Sequence, residues 1–215
     1  MAMTEPMLSI VGCGPGSVQY VTEAARQAVA RADVLVGADR LIELFPDCPA
    51  ERISGQCDIV ALLEQIATRH AAGRKIAVLV SGDPGLFSLA RKVIQRFGRE
   101  RCEVIPAVSS VQVAFARLGI DWADARIVSA HGRLPDISAD EFGRAGKIAV
   151  LAGTAEAIRW LVGMAGALDA SHAVFLAENL TLDDERFRQV TPEQLGLIDA
   201  ASLSIVLLIR RSLLL

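Results

Sequence analysis

The sequence predicts an α/β protein of two α/β domains, the first sheet mainly parallel and the second mixed. Three observations carry this. Through the first half, apolar β-type runs alternate with segments of helical period, as βα units do. The second half holds more strand candidates and fewer helices between them. Between the halves GIDWADAR, residues 119–126, breaks the pattern with charge and turn formers. The boundary is placed there, giving domains 1–118 and 119–215.

The elements follow in order. LSIVG opens as a strand, and Thr22 caps a helix whose Ala24, Ala25, Ala28, Val29 and Ala32 recur at helical spacing. VLVG is the next strand, and FPDCPAERISG is irregular. Asp58 caps IVALLEQIATRHAAG, with Leu62, Leu63, Ile66 and Ala67 as its inward stripe and Gly73 as its stop. KIAVLV is a continuous apolar run, as expected of a central strand covered on both faces. A helix after Gly-Asp-Pro-Gly carries Leu86, Leu89, Ala90, Val93, Ile94 and Phe97, with Gly98 as its stop. CEVIP is a strand, and Ser109 or Ser110 caps VQVAFARLG. In the second half RIVSAHGR, KIAVLAGT, AVFLAENL, ERFRQV and SLSIVLLIRR are strands. Thr154 caps one helix there, and Thr191 with Gln194 forms a capping box for a short one. ENLTLDDERFRQV resembles a hairpin.

Composition removes several function classes. Lys plus Arg number 22 against 25 Asp plus Glu, and aromatics are only 5% of the chain, which argues against a nucleic-acid partner. Hydrophobic residues make up 52%, yet no run of about 18 uncharged apolar residues appears, so no membrane association is expected. MAMTEPMLSIVG lacks the features of a secretory signal, which points to the cytoplasm. Cys13, Cys48, Cys57 and Cys102 are scattered and are read as reduced thiols; no metal site is expected.

Two stretches at strand ends carry the chemistry. VGCGPGS, residues 11–17, fails as a dinucleotide fingerprint, because Ser17 holds the third glycine position and Pro15 removes a backbone donor. It fails as a Walker A loop too, and reads as a rigid loop that lets a bulky ligand approach the backbone. VSGDPGLFS, residues 80–88, allows two readings. Asp83 can be an N-cap with Pro84 as first helical residue, or the turn can shape a ligand site where α/β sheets place them.

The motifs together resemble one family. VGCGPGSVQYVT resembles the opening loop of the tetrapyrrole methylases, SGDPGLFS their cofactor loop, and IPAVSSVQVAFARLG their P-G-x-S-S segment, with Ala107 where the family usually has glycine. VGADRLIELF, SAHGR and ENLTLDDERFRQVTPEQL resemble the cobalamin-pathway branch that methylates carbon 5 of precorrin-6Y or cobalt-precorrin-7. The resemblance implies a tetrapyrrole methylase fold with a cleft between its domains, holding S-adenosylmethionine and yielding S-adenosylhomocysteine. Cofactor contacts are expected from Gly82, Asp83, Pro84, Gly85, Leu86, Phe87, Ser109, Ser110, Leu151 and Ala152. Substrate contacts are expected from Gly12, Gly14, Pro15, Gly16, Arg133, Glu178 and Asn179. His131 and Arg133 are the candidate catalytic groups: histidine titrates near neutrality, and a guanidinium grips a substrate carboxylate. Arg40, Arg186 and Arg188 are weaker candidates. A homodimer and a separate carbon 15 methyltransferase/decarboxylase are the expected partners. Rival readings are another methylase of the same scaffold, acting on uroporphyrinogen, diphthine or ribosomal-RNA ribose, and a noncatalytic binder of nucleotides or tetrapyrroles.

Overall fold

Two kinds of apolar patterning produce two kinds of sheet. In the computed structural model, residues 8–55, 58–199 and 202–214 are described; Cys57 lies outside them. The chain divides into two compact units, one ending at Ser109 and the other beginning at Ser110.

The first unit holds β1 (Leu8–Gly12), α1 (Glu23–Ala30), β2 (Val34–Gly37), α2 (Asp39–Ile42), β3 (Glu51–Ser54), α3 (Ile59–Ala71), β4 (Ile76–Val80), α4 (Ala90–Phe97) and β5 (Cys102–Ile105). The strands form one sheet in the order β3-β2-β4-β1-β5, every pairing parallel. β4 is central and wholly buried, as its unbroken apolar run requires. Alternate residues serve opposite faces. Leu8, Ile10, Ile76 and Val78 pack with Leu62 and Ile66 of α3 and with Ala90, Val93 and Phe97 of α4. Val11, Leu35, Ala77 and Leu79 pack with Ala25, Ala28 and Val29 of α1 and with Leu41 and Ile42 of α2. The chain therefore leaves β1 toward one face and β4 toward the other, although these strands are neighbours. Their carboxyl ends form the switch point at which open α/β sheets receive ligands.

Thr22 and Asp58 cap α1 and α3 as expected. The segment read as irregular supplies β3, an edge strand with only Ile53 buried, too polar to announce itself. The helix after Gly-Asp-Pro-Gly starts later than expected. α4 begins at Ala90, whose N–H donates to Ser88 Oγ at 3.1 Å, while residues 84–87 form turns. Asp83 is not its cap, and Phe87, at φ 46°, is in a left-handed conformation that cannot continue a helix.

The second unit holds α5 (Ser110–Leu118), β6 (Arg126–Ser129), α6 (Ala139–Gly143), β7 (Lys147–Leu151), α7 (Ala155–Leu168), β8 (His172–Glu178), β9 (Arg186–Val190), α8 (Pro192–Gly196) and β10 (Ser204–Arg210). Its sheet runs β6-β7-β10-β8-β9, mixed as expected: β6 and β7 are parallel and the other pairings antiparallel. α6, α7 and α8 share a core with one face, and α5 contacts β10. That contact places α5 in this unit, nine residues ahead of the break drawn from sequence. The capping box on α8 is present. The break itself is anchored, because Lys147, 6% exposed, pairs with Asp121 at 2.8 Å and Asp124 at 2.6 Å. No helix among the described residues is long and apolar enough to cross a membrane.

Candidate active site

Three loops converge at the carboxyl ends of the neighbouring strands β4, β1 and β5. The loop after β1 meets the loop after β4 through a bridge in which Gly82 N–H donates to Gly14 O at 2.8 Å and Gly14 N–H to Gly82 O at 3.4 Å. Both glycines have positive φ, 77° and 64°. Gly12 lies where all three loops press together. A Cβ there would come within 2.7 Å of Ala107 Cβ, 2.8 Å of Pro84 Cδ and 3.0 Å of Gly82 O. Ala107 thus has its methyl group accommodated by the glycine facing it.

Asp83 completes the arrangement. Its Oδ1 accepts from Gly85 N–H at 2.8 Å and its Oδ2 from Ala107 N–H at 3.0 Å, so one carboxylate shapes its own turn and holds the loop after β5. Pro84 and Pro15 are buried, Gly85 is exposed without a side chain, and Leu86 is half-buried. Phe87 stands 59% exposed on its left-handed backbone. Ser109 is buried immediately ahead of α5, and Ser110 begins that helix. Beneath the loops Cys13 is fully buried, which pushes its thiol up to about 12 and keeps it a neutral packing group.

In the second unit, the turns after β6 and β7 touch. Gly153 N–H donates to His131 Nδ1 at 3.2 Å. A ring nitrogen that accepts is unprotonated, so the neutral imidazole carries its proton on Nε2. Arg133, two residues on, is exposed and has no ion pair among the described residues. Leu151 is half-buried at the end of β7; Ala152 is fully buried in the core, its N–H donating to Ser204 O at 2.9 Å. Glu178 and Asn179 have structural partners. Arg188 Nη2 donates to Glu178 at 2.8 Å, and Asn179 Nδ2 donates to Asp184 at 2.6 Å from a backbone at φ 50°. Arg40 lies on α2 and Arg186 is exposed on β9.

The family model of the tetrapyrrole (corrin/porphyrin) methylases matches residues 7–196. This chain belongs to that family. It is 35% identical over 184 residues to the cobalt-precorrin-7 C(5)-methyltransferase of Salmonella typhimurium, covering 84% of this chain and 88% of that one. The precorrin-6Y methylase structure from Archaeoglobus fulgidus superposes with a TM-score of 0.71 at 27% identity, covering 95% of this chain and 98% of the other. The uroporphyrin-III C-methyl transferase of Thermus thermophilus, solved with S-adenyl homocysteine, shares the methylase fold at a TM-score of 0.78 and 20% identity, covering 94% of this chain and 97% of the other.

Sequence reasoning found the three loops but missed what joins them. Nothing in IPAVSS marks the Ala107 amide as a partner for Asp83 24 residues earlier. It also missed the grip on the β8–β9 connection, where Glu185 accepts from Arg117 of α5 at 2.6 and 3.1 Å and from Thr181 N–H at 2.6 Å. Arg117 at the end of an amphipathic helix carries no signal for that role.

Proposed function

We propose that this chain is an S-adenosylmethionine-dependent C-methyltransferase that methylates carbon 5 of precorrin-6Y or cobalt-precorrin-7 in cobalamin biosynthesis. The observation that carries the reading is the meeting of the three family loops at the β4-β1-β5 switch point, in a chain so similar to a carbon 5 enzyme. The donor-side loops fit a cofactor held by backbone: Gly85 is exposed with no side chain over it, while Gly12 and Gly14, enclosed by Ala107, Pro84, Gly82 and Tyr20, let the loops close on one another.

Bound S-adenosylmethionine supplies an activated sulfonium methyl group. That group would pass to carbon 5 of the macrocycle, with sulfur keeping the electron pair of the broken carbon–sulfur bond and a macrocycle proton released to solvent. The chain's task is then to hold the reacting atoms about 3–3.5 Å apart and in line. Gly82 to Phe87, with Ser109 and Ser110, form the cofactor side. On the macrocycle side stands the loop after β1, where Gly12, Gly14 and Pro15 are buried supports and Gly16, half-buried, is the glycine left to meet the ring. Arg133, exposed and with no ion pair among the described residues, takes a substrate carboxylate, and His131, through Nε2, hydrogen-bonds the substrate beside it. The reading includes a cytoplasmic homodimer acting beside a separate carbon 15 enzyme, which light scattering and co-purification test.

The decisive experiment is incubation with methyl-labelled S-adenosylmethionine and candidate corrin intermediates, followed by location of the new methyl group. Label at carbon 5 is expected; label elsewhere, or none, overturns the assignment. A cheaper check is a thermal shift with S-adenosylhomocysteine, which at 100 times its Kd stabilises by about 2.7 kcal/mol.

A further inference from the structure

We infer that Asp83 is a positioning residue that acts across loops: its carboxylate sets the spacing between the Gly-Asp-Pro-Gly turn and the Ala107–Ser110 segment, and thereby the width of the cofactor site. The inference rests on the methyltransferase reading above.

Both oxygens of Asp83 are committed to backbone amides, Oδ1 to Gly85 at 2.8 Å and Oδ2 to Ala107 at 3.0 Å. A carboxylate occupied in this way holds two loops at a fixed spacing. The two bonds differ in reach. The Gly85 bond spans two residues and is a local turn that many short polar side chains form. The Ala107 bond spans 24 residues and joins the ends of β4 and β5, which are separated in the sheet by β1. The same segment also packs the Ala107 methyl toward Gly12. Hydrogen bonds donated by backbone N–H to a carboxylate are among the stronger ones in proteins, and losing the one from Ala107 frees the segment after β5 while the Gly85 turn stays.

The two bonds are separable by substitution. Asp83→Ser keeps an oxygen within reach of Gly85 N–H but is too short to reach Ala107. Asp83→Asn keeps the shape yet offers one acceptor oxygen for two donors. In folded Asp83→Ser the Kd for S-adenosylhomocysteine and the KM for S-adenosylmethionine should rise about tenfold or more, with the KM for the tetrapyrrole unchanged. Asp83→Asn, whose one oxygen can keep the Ala107 bond, should show a smaller rise. Cofactor binding within about twofold of wild type in folded Asp83→Ser, or a rise confined to the tetrapyrrole KM, overturns the inference. Hydrogen exchange of the wild-type Ala107 amide provides a second measurement that does not depend on the variants folding: a protected amide is expected, and exchange at the rate of an open loop overturns the clip. If wild-type protein binds no S-adenosylhomocysteine while that amide is protected, the methyltransferase reading fails and the clip stands.

Discussion

The loop cluster of the first unit and the candidate substrate groups of the second are built on different physical terms. In the first unit, glycines, prolines and backbone amides are interlocked, and Asp83 has both oxygens engaged. In the second, His131 makes one backbone contact through Nδ1, Arg133 is exposed, and Glu178 and Asn179 are engaged by Arg188 and Asp184. A ligand with a constant shape, such as a cofactor, suits a site made of backbone. A ligand distinguished by its carboxylates suits side chains that can still move to meet it.

The largest effect should follow from filling the point where the loops meet. Gly12→Ala puts a methyl within 3.0 Å of three neighbours and should cost about 1–3 kcal/mol in urea unfolding, with loss of S-adenosylhomocysteine binding. Gly153→Ala crowds His131 Cε1 and Ser202 O in the other unit, and should disturb tetrapyrrole binding while sparing the cofactor. Equal cofactor loss in both would erase the contrast. Next, Arg133→Ala should raise the tetrapyrrole KM about tenfold, with stability changed by less than about 0.5 kcal/mol. An unchanged KM removes the carboxylate role.

Smaller effects test the anchoring of each unit. The Lys147 ammonium, hydrogen-bonded to Asp121 and Asp124, holds both carboxyls below their usual range, and they in turn hold the lysine above its own. The contribution of the carboxyls is present above the ordinary carboxylate range and is lost as pH falls through their depressed values. That of the lysine is lost only as pH rises through its raised value. The Tm of wild type relative to Lys147→Met should therefore be steady through neutral pH and fall in acid; a difference independent of acid pH would show that the pairs contribute nothing. The smallest expected effect is that of Phe87→Gly. It should leave stability unchanged or raise it by up to about 1 kcal/mol, because the exposed ring loses little packing and the left-handed backbone strain is relieved. A loss of more than about 1 kcal/mol would mean that the ring is packed, not presented.

Much of the fold was legible, because strands buried on both faces write themselves as unbroken apolar runs. Ile76–Val80 and the apolar stretch within Ser204–Arg210 are of this kind, and both strands lie inside their sheets. Edge elements were less legible. β3 has one buried residue, and α2 and α6, with four and five residues, are too short for a helical period to show. The start of α4 was misread because Asp-Pro has the form of a helix entry, while the Asp83 carboxylate is bound elsewhere.

By itself the sequence determined the alternation of strands and helices, the difference between the two sheets, and the three loops of the family, since each depends on residues close together in the chain. Only the tertiary structure decided that Asp83 reaches Ala107, that Gly12 makes room for its methyl group, and that Glu178 and Asn179 are already engaged. Such contacts depend on which strands become neighbours. That order is selected by burial summed over the whole sheet, which no short stretch of sequence carries.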